Sequence, residues 1–178
     1  MELKGKRIAF LGDSITEGAG ASEKALCYVN RFATMTGANV MNYGIGGTRF
    51  ARRKVPHENP RFDLDFCGRF QVMDDDADIV VVFGGTNDFG GSDPAMGTMD
   101  DRTDSTFYGA YHNLINLLYC CYPNAKIVIM TPLHRLTEDD DTYNEQASRR
   151  GGRSGICPTV STPMTQVTSW WPRPCFVP

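Results

Sequence analysis

Short apolar runs that end directly in glycine or polar loops recur along the first three quarters of the chain, and they alternate with segments of helical period. Residues 6–11 (KRIAFL) stop at Gly12 and predict a first buried strand. Ser22 predicts the N-cap of a helix through Met35, because Leu26, Val29, Phe32 and Ala33 recur at three- and four-residue steps before Gly37. Residues 39–43 predict a second strand. Residues 78–83 (DIVVVF) form a continuous β-branched run, the pattern of a central parallel strand covered on both faces. From Ser105 to Tyr122 the side chains of Phe107, Tyr111, Leu114, Leu117, Leu118 and Cys121 hold one helical face, and Pro123 follows its end. Residues 126–131 (KIVIMT) predict a fourth strand. Strands alternating with helices in this way predict an α/β fold: an open parallel sheet with helices on both faces.

Composition narrows the class. The 178 residues are 41% hydrophobic, enough for one domain with its own core. Eighteen Lys and Arg stand against 21 Asp and Glu, so the net charge of −3 provides no cationic field to collect nucleic acid or anionic lipid. No apolar run approaches the roughly 20 residues that span a bilayer. The expectation is a cytoplasmic protein whose partner is neither nucleic acid nor membrane. Six cysteines, without a Cys-x-x-Cys pair, read as reduced thiols that mostly pack.

The charge is unevenly spread. Residues 1–145 hold 14 basic and all 21 acidic residues, a net of −7, whereas the remainder holds four arginines and no acid. The last 21 residues contain five of the ten prolines and both tryptophans, without a period of 2 or 3.6. The chain is therefore expected to divide into an α/β domain over residues 1–148 and an atypical Pro- and Arg-rich tail over 149–178. Disorder, or a shifted reading frame or truncated gene product, is the economical reading of that tail; a natural divergent C-terminus is the alternative.

In a parallel sheet the ligand site lies outside the carboxyl ends of the strands, where the loops after strands one to four meet. Those loops read GDSIT (residues 12–16), NYGIGGT (42–48), GGTND (84–88) and TPLHR (131–135). Ser14 stands at the tip of a strand-to-helix turn, where a nucleophile would be held rigidly, although a Gly-Asp-Ser stretch equally serves to cap or turn a chain. Gly47 lies in a loop whose glycines permit backbone N–H groups to approach a developing oxyanion. Asn87 offers a side-chain amide from a third loop. Acyl transfer needs these parts to converge.

GDSIT, NYGIGGT and GGTND resemble blocks I, II and III of the GDSL or SGNH hydrolase superfamily, in order and over about residues 6–135. The resemblance implies a flavodoxin-like three-layer α/β/α sandwich and the hydrolysis of carboxylic esters, as by lipases, acylhydrolases and carbohydrate esterases, without a cofactor or metal. Position by position, Ser14 resembles the nucleophile, with its own N–H as an oxyanion donor, and Gly47 and Asn87 resemble the other two donors. The family's base, a histidine in an Asp-x-x-His block near the C-terminus, has no counterpart, since no Asp-x-x-His occurs. Of the three histidines, His57 lies in a Pro-flanked charged loop, His112 in the long helix, and His134 just past the fourth strand, at the edge where the site is expected. The sheet is correspondingly expected to be incomplete at the C-terminus, with an edge that would favour a homo-oligomer.

Two functions follow. The first is a serine ester hydrolase acting through Ser14 on a small-molecule ester, impaired for want of its base. The alternative is a non-catalytic protein of the same fold that binds a small acylated or carbohydrate ligand. Outside these blocks, Arg49, Arg52, Arg53 and Lys54 form either an anion-binding patch or a solvated, flexible lid. Asp74, Asp75 and Asp76 lack the glycine and distal glutamate of a calcium loop and read as a solvated helix end. Residues 89–106 are long enough for a substrate lid or pocket wall.

Overall fold

The computed structural model describes residues 2–89 and 93–133. The predicted tail, His134 and the sheet's expected C-terminal end lie outside the described residues. Four parallel strands, β1 (Arg7–Gly12), β2 (Asn39–Gly44), β3 (Ile79–Phe83) and β4 (Lys126–Met130), form one sheet in the order β2-β1-β3-β4. This is the order with which doubly wound flavodoxin-like sheets begin. The register aligns Gly12 with Gly44 on one side and with Phe83 on the other, and Phe83 with Met130. All four strands therefore end level, and the following loops leave from one edge.

Successive side chains along each strand point to opposite faces, so one sheet feeds two cores. Ala9, Leu11, Val80 and Val82 pack with Ala110, Leu114 and Leu118 of helix α5 (Phe107–Cys121) and with Phe66 of the one-turn helix α3 (Phe66–Arg69). Ile8, Phe10, Ile79 and Val81 pack with Val29 of α2 (Tyr28–Thr36) and with Cys27. The result is three layers, and all five residues of β3 are buried as its apolar run predicts. The helix α5 opens on a Thr106 N-cap, whose hydroxyl accepts the Gly109 N–H, and turns residues 110, 114 and 118 to the sheet.

The helix expected from Ser22 begins only at Tyr28. A 3-10 turn over Lys24–Leu26 precedes it, and Cys27 is extended at φ −61°, ψ 155°. The Asn30 side chain donates to the Lys24 carbonyl at 2.7 Å, replacing the backbone bond a continuous helix would make there, and Leu26 is left exposed. The three aspartates at 74–76 lie in a turn rather than at a helix end, with Arg7 reaching Asp74 and Asp76.

Candidate active site

Three of the strand-end loops meet at one edge of the sheet, where Ser14 stands. After β1, the buried Asp13 caps the one-turn helix α1 (Ser14–Glu17), its Oδ1 accepting the Ile15 N–H at 2.9 Å. The turn that could have been a mere cap is thus a cap made by Asp13, which leaves Ser14 as the first helical residue. Ser14 is half-buried, and its hydroxyl has no hydrogen bond among the described residues. The end of β2 runs so close to α1 that a Cβ at Gly44 would land on the Glu17 backbone, which is why glycine occupies that position. The loop beyond it brings Gly46 beside Ser14: a Cβ built there would lie 3.4 Å from the Ser14 Cβ. Asn87, in α4 (Thr86–Phe89) after β3, donates from Nδ2 to the Thr48 carbonyl at 2.9 Å. Ser14, Gly47 and Asn87, far apart in sequence, are gathered by these contacts at one edge.

The backbone amides around them are mostly spent. Asp13 takes the Ile15 N–H, Glu17 takes the Gly46 N–H at 2.7 Å, and the Ile45 carbonyl takes the Thr48 N–H at 3.4 Å. The Ser14 and Gly47 N–H groups have no acceptor among the described residues, and Asn87 uses one of its two amide hydrogens on Thr48. Among the described residues the Ser14 N–H, the Gly47 N–H and the second hydrogen of the Asn87 amide are thus left without an acceptor. Gly47 holds φ +80°, and a Cβ there would collide with the Phe62 ring, so both its conformation and its space require glycine.

Side chains that the sequence patterns did not single out hold these loops together. Arg69 is almost fully buried and donates to the Gly12 carbonyl, to the Tyr43 carbonyl at 2.7 Å and to the Thr48 hydroxyl at 3.1 Å, with its guanidinium over the Phe66 ring. It thereby joins the ends of β1 and β2 to the glycine loop. Burial pushes the Arg69 group down to about 10, which leaves it charged at neutral pH. Burial also raises Asp13 above the usual carboxylate range, against the pull of the Ile15 N–H and of Arg69. Asp88 accepts the Phe50 and Ala51 N–H groups at 3.1 and 3.0 Å, pinning the segment after the glycine loop to the end of β3. Asp88 is likewise raised, first by burial, which those two amides oppose. A buried arginine in RFDLDFCGRF carries no periodic signal; its only local cue is Asp65, which caps α3 by accepting the Gly68 N–H.

The basic stretch, with Arg52 and Lys54 exposed, is tethered to the surrounding loops. Arg52 pairs with Asp65 and Asp104, Arg53 lies 3.9 Å from Asp63, Arg49 donates to the Asp93 carbonyl, and Asp93 accepts the Lys54 and Val55 N–H groups. Carboxylates of the surrounding loops meet Arg52 and Arg53 and anchor the backbone at Lys54 and Val55. His57 has its Nδ1 engaged by the Asn59 N–H at 2.9 Å, and its ring meets the Phe62 ring edge-on. The His112 Nδ1 lies 2.8 Å from Arg102 and 3.1 Å from the Asp101 carbonyl. Neither imidazole is hydrogen-bonded to Ser14, and His134 lies outside the described residues. Among the described residues no cluster of three or more His, Cys, Asp or Glu side chains is placed to hold a metal, and no helix is long and apolar enough to cross a membrane.

Solved structures share this architecture. A protein from Lactobacillus plantarum is 29% identical with a TM-score of 0.61, over 76% of this chain and 60% of its own. A protein from Bacteroides uniformis assigned as a GDSL-like lipase is 24% identical with a TM-score of 0.57, over 83% and 80%. AlinE4, an SGNH-hydrolase family esterase, is 16% identical with a TM-score of 0.52, over 82% and 72%; these last two likenesses bear on the fold alone. The chain spans about three fifths of the length of the solved structures that it matches at 34% and 29% identity. No curated protein matches it. Residues 10–168 match the model of the GDSL-like lipase/acylhydrolase family, and with the serine, glycine and asparagine loops assembled on one edge of a β2-β1-β3-β4 parallel sheet, the chain belongs to that family.

Proposed function

We propose that the protein is a serine hydrolase of carboxylic esters. The Ser14 Oγ attacks the acyl carbonyl, and the carbonyl oxygen gains its charge among the Ser14 N–H, the Gly47 N–H and the free hydrogen of the Asn87 amide. The alcohol leaves with a proton, and water then releases the acid from the acyl-serine. The observation that supports this most strongly is the pattern of spent and unspent donors. On the first two loops the neighbouring amides of Ile15, Gly46 and Thr48 are taken, while the Ser14 and Gly47 N–H groups and the Ser14 hydroxyl have no partner among the described residues.

Proton removal from Ser14 sets the rate. Neither described histidine is bonded to the hydroxyl, and loss of one member of a serine triad costs roughly 10⁴ to 10⁶ in rate. Turnover by this chain is accordingly slow, carried by the oxyanion donors and by whatever base its remaining residues supply. Hydrolysis of short-chain p-nitrophenyl esters by the wild type and by Ser14→Ala tests the reading. Release of p-nitrophenol that disappears in Ser14→Ala supports hydrolysis; equal background in both, with retained ligand binding, supports a non-catalytic binder built on the same loops.

A further inference from the structure

We propose that Glu17 is a positioning residue of this site: together with Arg61 it anchors the Ile45–Gly46 peptide and so limits how far the following Gly46–Gly47 peptide can turn, which keeps the Gly47 N–H as the amide left for the substrate. The inference rests on the hydrolase reading above. Glu17 closes α1, three residues after Ser14, and its Oε2 accepts the Gly46 N–H at 2.7 Å. Arg61 Nη2 lies 2.6 and 2.7 Å from the two carboxylate oxygens and fixes the direction in which the carboxylate points. The four groups share a small space. A Cβ built at Gly46 would lie 2.8 Å from Glu17 Oε2, 3.4 Å from the Ser14 Cβ and 3.7 Å from Arg61 Nη2.

The sequence makes such a clamp necessary. Gly46 and Gly47 are consecutive and lack Cβ atoms, so steric resistance to rotation of the peptide between them is minimal. A flip would replace the Gly47 N–H by the Gly46 carbonyl oxygen, which repels an oxyanion instead of binding it. The Glu17 carboxylate holds the peptide on one side of Gly46, and Phe62, one residue from Arg61, covers Gly47 on the other. Both members of the pair are partly exposed, Glu17 at 35% and Arg61 at 46% of the side chain, so removing either opens no core. That separates Glu17 from Arg69, whose loss disturbs the fold itself.

The test uses the full chain, labelled with ¹⁵N, as wild type, Glu17→Ala and Glu17→Gln. Exchange of the Gly46 amide hydrogen is followed together with kcat and KM for p-nitrophenyl acetate, and Ser14→Ala gives the background. Glu17→Ala is expected to speed Gly46 exchange at least about tenfold and to lower the Ser14-dependent kcat by about ten- to a hundredfold with KM nearly unchanged, up to the scale of losing one oxyanion donor. Glu17→Gln, whose amide oxygen still accepts the Gly46 N–H, is expected to restore most of both. Unchanged Gly46 exchange in Glu17→Ala, or an unchanged kcat despite faster exchange, overturns the proposal. If the wild type shows no Ser14-dependent turnover, the hydrolase reading fails by itself. Gly46 exchange then decides alone, a tenfold acceleration supporting the Glu17 clamp and an unchanged rate overturning it.

Discussion

Replacing Arg69 by methionine keeps the aliphatic stem and deletes three hydrogen bonds, the buried ones to the Gly12 carbonyl and the Thr48 hydroxyl and a part-buried one to the Tyr43 carbonyl. Bonds to a charged group are each worth about 1.5–3 kcal/mol, but the variant no longer desolvates a guanidinium, which offsets several kcal/mol of that loss. Asp13, whose Oδ2 has no hydrogen-bond partner among the described residues, also loses the attraction of the guanidinium, so a net loss of about 3–5 kcal/mol is expected, the scale on which a buried charge is left uncompensated. For a chain of this length the loss lowers Tm by about 6–20 °C. The sign with pH is specific. Burial raises Asp13 above its ordinary 3.8, and without the attraction of Arg69 it rises further. A raised carboxylate contributes its full stability below the unfolded pKa and loses it as pH rises through the folded value. The deficit of Arg69→Met is therefore large at pH 7 and shrinks toward pH 4, and Asp13→Asn in the same background recovers part of it at pH 7. Urea denaturation followed by circular dichroism at the two pH values, on the two single variants and the double variant, measures the cycle. A loss below about 1 kcal/mol at pH 7, or a loss independent of both pH and Asp13, would refute this account of how the loops are held.

Gly47→Ala combines a positive φ with a clash against Phe62, so it is expected to lower stability by more than about 1 kcal/mol and to lower Ser14-dependent turnover, both checked on the same purified protein. Leu114→Ala empties a fully buried position between α5 and the sheet, and a denaturation midpoint should report about 2–5 kcal/mol lost. Burial pushes Glu17 up, but the Arg61 and Gly46 hydrogen bonds outweigh it and hold the carboxyl below its ordinary 4.5. Its contribution is present above the unfolded pKa and is lost as pH falls through the lowered folded value, so the Gly46 amide shift should move only below about pH 4.5 in an NMR titration.

The two central strands were legible because burial on both faces leaves an unbroken apolar run; residues 78–83 need no partner sequence to be read, and β3 has no exposed residue. The start of α2 was not, because the periodic count that included Leu26 could not foresee Asn30 satisfying the Lys24 carbonyl and ending the turn early. The convergence of Ser14, Gly47 and Asn87 followed from topology alone, since parallel strands deliver their following loops to one edge. What fixes those loops did not follow. Arg69 and Glu17 act through groups 21 to 57 residues away, and no local period or composition marks such a contact. The tethers of the basic stretch at 49–54 were hidden for the same reason, because Asp65, Asp93 and Asp104 lie elsewhere along the chain.

The central claim is that Ser14 is a nucleophile facing an oxyanion site made of three loops. Reaction of the full chain with a fluorophosphonate, followed by mass spectrometry of the peptides, tests it most directly, because the phosphonyl oxygen must occupy the position of the oxyanion. The account predicts a single adduct on the Ser14 hydroxyl, formed over hours for want of an oriented base and slowed at least about tenfold in Asn87→Ala. An adduct on another side chain, or a Ser14 adduct that forms equally fast in Asn87→Ala, would contradict it.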